Sequence, residues 1–185
     1  GRNEQSVRSH KGWALGIFTS TRGGGHLNGA TLVERLGMDP KKAKEIFGND
    51  AVVRPEAYEG KGAVTAWFEG FKSIVDSVGL CYYTTFWIDL ELIGMEHIAM
   101  LMEKVTGEKT DPEALAHTGR RIQNIEKAFN TLHAGFTRAH DIPHQRRHWL
   151  CRLVVAGLAP AGLGRLGPAP AARPDHRQHL RRRRD

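Results

Sequence analysis

In "EGKGAVTAWFEGFKSIVDSVGLC", Glu59–Cys81, apolar side chains fall at Val64, Trp67, Phe68, Phe71, Ile74, Val75 and Val78. That spacing, close to 3.6 residues, lays a stripe along one side of an α-helix. Gly79 marks its stop. Downstream, "DLELIGMEHIAMLMEKV", Asp89–Val105, repeats the period through Leu90, Ile93, Ile98, Leu101 and Met102. "TDPEALAHTGRRIQNIEKAFNTLHAGF" opens on a Thr-Asp-Pro-Glu start signal and carries Leu115, Ile122, Ile125 and Phe129. No stretch alternates convincingly with period two. The expected body is therefore all-α, an irregular domain of four to six helices.

Working upstream, "DPKKAKEIFG" predicts a short helix with Asp39 as N-cap, Pro40 in the first turn and a stop near Gly48. "SHKGWALGIFTST", Ser9–Thr21, places Trp13, Ile17 and Phe18 at helical spacing, and "RGGGHLNGA" follows it. Three glycines in a row, Gly23–Gly25, are uncomfortable in a helix. They suit a sharp turn or a close approach of backbone to another group, just before His26.

The chain has 185 residues, enough for one domain with a real core, and a formal charge of +7. The charge is unevenly placed. Residues 1–143 carry 17 Lys and Arg against 18 Asp and Glu, whereas residues 144–185 carry 10 Arg and two Asp. Basicity belongs to the end of the chain and says nothing about the helical body. In those last 42 residues Arg, Ala, Gly, Pro and Leu make up 30 positions, and Lys, Glu, Ser, Thr, Asn, Ile and Phe are missing. The expectation is two regions: a helical body over 1–143 and a disordered Arg/Pro/Ala/Gly-rich tail over 144–185, read as the product of a shifted reading frame. A nucleic-acid-binding arm is the functional alternative for "RRRR". No membrane span or signal peptide is visible, and the non-Met start suggests a fragment. Two cysteines, Cys81 and Cys151, do not form a disulfide framework, so the expected location is the reducing cytoplasm.

Cys81 follows "DSVGL" at the end of the long helix, and the aromatic run after it reads as the start of another. A thiol at a helix start has its thiolate, the metal-binding form, favoured by free N–H groups. Taken alone, a solitary cysteine is more readily an inert core residue than a ligand. Three segments together change that reading. "DSVGLC", Asp76–Cys81, resembles the Asp-x-x-Gly-Leu-Cys signature of the tungsten-containing aldehyde:ferredoxin oxidoreductase family. "KGWALGIFTSTRGGGHLNGA", Lys11–Ala30, and "GRRIQNIEKAFNTLHAGFTRAHDIP", Gly119–Pro143, resemble two further family segments in the same order.

The resemblance implies the C-terminal helical part of such an enzyme. It also implies a tungsten (or molybdenum) bis-pterin cofactor, a [4Fe–4S] cluster, oxidation of aldehydes to carboxylic acids, and ferredoxin as electron acceptor. Arg22 would contact the pterin, its planar guanidinium suiting phosphate and ring carbonyl groups. His26 would stand beside the metal and exchange a proton with the substrate. Asp76 would accept from pterin N–H groups, Leu80 would border the cofactor, and Cys81 would be the last cluster ligand. Taken singly, Arg22 and Asp76 read as surface charges, the glycines as a flexible loop and His26 as a structural histidine.

Some features depart from the family pattern. Asn28 stands where a basic side chain is common, and His140 stands where an aspartate is expected. An inserted loop is expected around residues 38–58. The three upstream cysteines of the cluster motif are absent, so the missing N-terminal part of the enzyme is an expected partner, and the chain alone should neither hold the cofactor nor turn over. An aryl-CoA reductase subunit of the same family (benzoyl-CoA type) is the alternative enzyme. A helical nucleic-acid-binding module and a helical scaffold without a site are the alternatives outside it.

Overall fold

The computed structural model of the chain describes residues 9–23 and 25–141. Among them lie six α-helices: α1 (Lys11–Thr19), α2 (Val33–Leu36), α3 (Pro40–Phe47), α4 (Lys61–Ser77), α5 (Met95–Thr106) and α6 (Pro112–Ala134). Short 3₁₀ turns occur at Asp50–Val53, Tyr82–Thr84 and Arg138–Asp141. The described residues contain no strand, only an isolated parallel bridge between Thr85 and Ile93. The all-α expectation holds. Residues 144–185, including Cys151, lie outside the described residues.

The fold is built around α4. Val64, Phe68, Phe71, Ile74 and Val75 are buried along its stripe, between α1 on one side and α6 on the other. The α4–α6 crossing is set by two glycines. A Cβ added to Gly119 would lie 2.2 Å from the Gly70 carbonyl oxygen, so the backbones touch where neither carries a side chain. Beside that contact Gln123 Nε2 donates to Ser73 Oγ at 2.6 Å. Gly16 and Gly29 make a second close approach, with 2.3 Å between a Cβ added at Gly16 and the Gly29 carbonyl oxygen. It fixes the loop after α1 against α1 itself.

The start of α1 has no side-chain cap of its own. Its first-turn N–H groups are instead satisfied from 21 and 22 residues away: the Glu34 carboxylate accepts from Gly12 N at 2.9 Å and Trp13 N at 3.0 Å. Glu34 is ion-paired with Lys61, the first residue of α4, and both side chains are fully buried. Lys61 also donates to the Val52 and Arg54 carbonyls at 2.7 Å each. Burial pulls the Lys61 ammonium below the usual lysine range, with Glu34 opposing. Every donor of that ammonium has a partner, the condition for tolerating a buried charge. The pair locks α1, the Asp50–Val53 turn and α4 together.

Three expectations need correction. The helix expected over Asp89–Val105 begins only at Met95, because Phe86 N donates to Ile93 O at 2.8 Å and holds the preceding residues in a turn. Residues 38–58, expected as a loop, fold into α3 and a 3₁₀ turn, with Ala43, Phe47, Ala51 and Val52 buried. On α6 the expected stripe is only half used. Leu115 is buried, but Ile125 and Phe129 are exposed. By contrast, the α3 reading holds in detail, with Asp39 accepting from Lys41 N and Gly48 in the left-handed region.

Candidate cofactor site

Two segments carry the five residues singled out by the sequence. Arg22 and His26 sit on the loop leaving α1, while Asp76, Leu80 and Cys81 sit where α4 ends. At Gly79, with φ of 74°, the backbone turns in the left-handed region that favours glycine, and Leu80 N donates back to Val75 O. This turn leaves Leu80 packed on the core and Cys81 exposed with a free thiol. The following aromatic run is a three-residue 3₁₀ turn, Tyr82–Thr84, and not the helix expected there. A helix dipole therefore does not act on Cys81. Its carbonyl is capped by Thr84 N and Thr84 Oγ1.

The two segments are joined by stacked rings. His26 lies on Trp13 with centroids 5.5 Å apart, Trp13 neighbours Trp87 at 6.4 Å, and Trp87 stacks on Tyr82 at 4.7 Å. Tyr82 is the residue after Cys81. Trp87 is anchored by Nε1 donating to the Ala30 carbonyl at 2.9 Å. Beneath the far end of the ladder, the largely buried Lys72 holds Asp76 in an ion pair and lies 5.2 Å from the Tyr82 ring centroid. The histidine and cysteine segments thus belong to one continuous packed unit. Arg22 faces elsewhere: it is exposed and lines a groove with Thr21, Ile125, Glu126, Phe129 and Asn130.

The glycine loop is tied to α6 as well as to α1. Thr21 Oγ1 donates to Glu126, Asn28 Nδ2 donates to Thr21 Oγ1 at 3.3 Å, and Asn130 Nδ2 donates to Thr21 O at 2.8 Å. Glu126 is spent on this tie. Alongside lies Glu69, whose carboxylate accepts from Thr19 Oγ1 at 2.9 Å. Burial pushes the Glu69 carboxyl up to about 7, the Thr19 bond and Lys127 opposing, and Asp141 and Glu126 adding to the rise. Lys127 pairs with Asp141 at 3.2 Å, closing the edge of a cavity of about 270 Å³ lined also by Ser20, Gly23 and Asn130.

Sequence reasoning passed over Glu69, Lys72 and Trp13. Lys72 and Asp76 are one helical turn apart, an i, i+4 signal that was readable. Glu69 was not readable, since its neighbours come from α1 and α6.

Do these residues suit the implied cofactors? Among the described residues no three or more His, Cys, Asp or Glu side chains gather into a metal site. Cys81 can therefore be one corner of a cluster and not a whole one. The surroundings suit that partial role. The thiol is exposed, and two buried donors of the ladder, Trp13 Nε1 and Tyr82 Oη, have no hydrogen-bond partner. No helix among the described residues is long and apolar enough to cross a membrane.

Comparison with known proteins identifies the family. The family model of aldehyde ferredoxin oxidoreductase, domains 2 and 3, matches residues 3–154. A tungsten-containing aldehyde ferredoxin oxidoreductase of Pyrococcus furiosus is 29% identical over 135 residues, covering 72% of this chain and 20% of the relative. The enzyme of the same name from Thermococcus kodakarensis is 27% identical over the same length and with the same coverage. The chain thus spans about a fifth of the length of these curated relatives. No solved structure matches it. With the matched region covering most of its length, the chain belongs to the aldehyde ferredoxin oxidoreductase family, as part of its domains 2 and 3.

Proposed function

We propose that this chain forms one wall of the active site of a tungsten bis-pterin, iron–sulfur oxidoreductase. The enzyme oxidises aldehydes to carboxylic acids, passes electrons to ferredoxin and works in the reducing cytoplasm. The observation that carries the reading is the ring ladder, which unites the His26 loop and the Cys81 turn in a chain of this family. When bound, tungsten and the cluster would supply the two-electron oxidation and its exit in single-electron steps. Molybdenum would serve the same role.

The protein's own part is positioning and proton handling. The Arg22 guanidinium binds the pterin phosphate or ring carbonyl, and the Asp76 carboxylate, held by Lys72, accepts from pterin N–H groups. Leu80 seals the cofactor edge against the core, and the Cys81 thiolate gives one ligand to the cluster. Conversion of aldehyde and water to acid releases two electrons and two protons. His26, stacked on Trp13, would take one of those protons. The aldehyde reading is preferred to the aryl-CoA one because both matched relatives carry the aldehyde name.

The test is aldehyde-dependent reduction of ferredoxin by the enzyme assembled from this chain and the polypeptide supplying the rest of the relatives' length. His26→Ala should lower kcat by about 10²–10⁴-fold, with tungsten content unchanged. An undiminished rate in that variant, or turnover of aryl-CoA thioesters in place of aldehydes, would refute the assignment.

A further inference from the structure

The exposed side of α6 carries a stripe that the fold does not use. Ile125, Phe129 and Leu132 are 64%, 60% and 80% exposed, and Phe136, just beyond the Gly135 cap, is 50% exposed. Their spacing of four, three and four residues is that of a helix seam meant for another packed element. Folded proteins rarely leave several large apolar side chains contiguous in water unless something covers them.

The stripe runs into the candidate site. Ile125 and Phe129 form the apolar floor of the groove of about 320 Å³ whose rim carries Arg22, and Thr21 in the same groove is bonded to Glu126 of α6. Whatever covers Ile125 and Phe129 must also close over Arg22. A second copy of this chain would bring another incomplete site to that place, again with one described thiol. The matched relatives have about five times the matched length, so four fifths of such an enzyme must pack somewhere against this part.

We infer that the Ile125–Phe129–Leu132–Phe136 face of α6 is the docking surface for the remainder of the enzyme, the polypeptide that brings the other cluster ligands. This rests on the function proposed above. Docking there buries the stripe and, in the same step, completes the wall around Arg22.

The experiment uses the 185-residue chain and the tagged polypeptide encoded immediately upstream of it. Capture is measured for wild type, for Ile125→Asp/Phe129→Asp, and for a control, Met100→Asp/Val105→Asp, on exposed apolar positions of α5. All substituted side chains are more than half exposed, so circular dichroism and Tm should stay close to wild type and report that each variant is folded. The expected result is at least a 100-fold loss of capture for the α6 variant, with the α5 control within threefold of wild type. Equal capture of the α6 variant, with iron still bound through Cys81, would overturn the docking surface and leave the family function standing. Failure to capture the wild type at all would overturn both. Two further results would assign the stripe to another occupant and overturn the inference: a wild-type homodimer abolished by the α6 substitutions, or protection of α6 amides in the isolated chain that vanishes when residues 142–185 are deleted.

Discussion

Helices α4 and α6 cross at Gly70 and Gly119 and carry apolar residues at the same period, yet the two stripes have opposite environments. Phe68 and Phe71 of α4 are fully buried, while Phe129 of α6 lies mostly in water. The difference comes from what each helix meets. α4 is flanked by α1 and α6, so its stripe from Val64 to Val75 is covered within the described residues, and only Val78 beyond its end is exposed. α6 meets α4 and α5 along one side, burying Leu115 and Gly119 and packing Ala116 and Ile122 on the core, while Ile125, Phe129 and Leu132 are exposed. Periodicity shows that a helix has an apolar side. It does not show that the covering element lies in the same stretch of chain.

Substitutions can sharpen the contrast. The largest effect is expected at the base of α4. Lys61→Met would strand the buried Glu34 carboxylate and cost about 3–5 kcal/mol, measured by urea unfolding. Adding Glu34→Gln should recover part of that loss, since no unpaired charge then remains. Next, Phe71→Ala should cost about 3–5 kcal/mol, whereas Phe129→Ala should stay within about 0.5 kcal/mol. Equal costs would show that α6 is packed as fully as α4. Gly119→Ala addresses the crossing itself. With the Gly70 backbone in the way, the helices must separate, at about 1–3 kcal/mol.

A pH dependence is expected at the α1–α4–α6 junction. The Glu69 carboxyl titrates near 7 in the fold against an ordinary value of 4.5. The folded state therefore binds more protons between those values. That contribution to stability is complete below pH 4.5 and is lost as pH rises through 7. The loss should be on the order of 3 kcal/mol, seen as a falling Tm. Glu69→Gln should flatten the profile, and an unchanged slope would remove Glu69 from the explanation.

Much of this was legible in the sequence because it was local. Asp39 before Pro40, Asp111 before Pro112, and Gly48, Gly79 and Gly135 at or just beyond helix ends are short-range signals, and the helices begin and stop where these say. The helical period of residues 89–94 does not set the start of α5, because the bridge between Thr85 and Ile93, with Phe86 N donating to Ile93 O, closes a turn that overrides it. The same limit applied at the candidate site. Arg22, His26, Asp76 and Cys81 stand in motifs and could be named. The Glu34–Lys61 pair, the Glu69 cluster and the stacking of Trp13 on His26 join residues far apart in the chain, so only the fold reveals them. Chemistry at Cys81 was tied to a helix start, and there the local reading failed, because the aromatic run after it forms only a 3₁₀ turn.

The most direct test of the central claim is iron and tungsten analysis, with electron paramagnetic resonance of the reduced protein. It compares wild-type and Cys81→Ser chains, each co-expressed with the upstream polypeptide. Loss of the reduced-cluster signal and of iron in the serine variant, with helical content preserved, is expected if Cys81 is a corner of a shared cluster site. Equal iron and an unchanged signal in both proteins would contradict it.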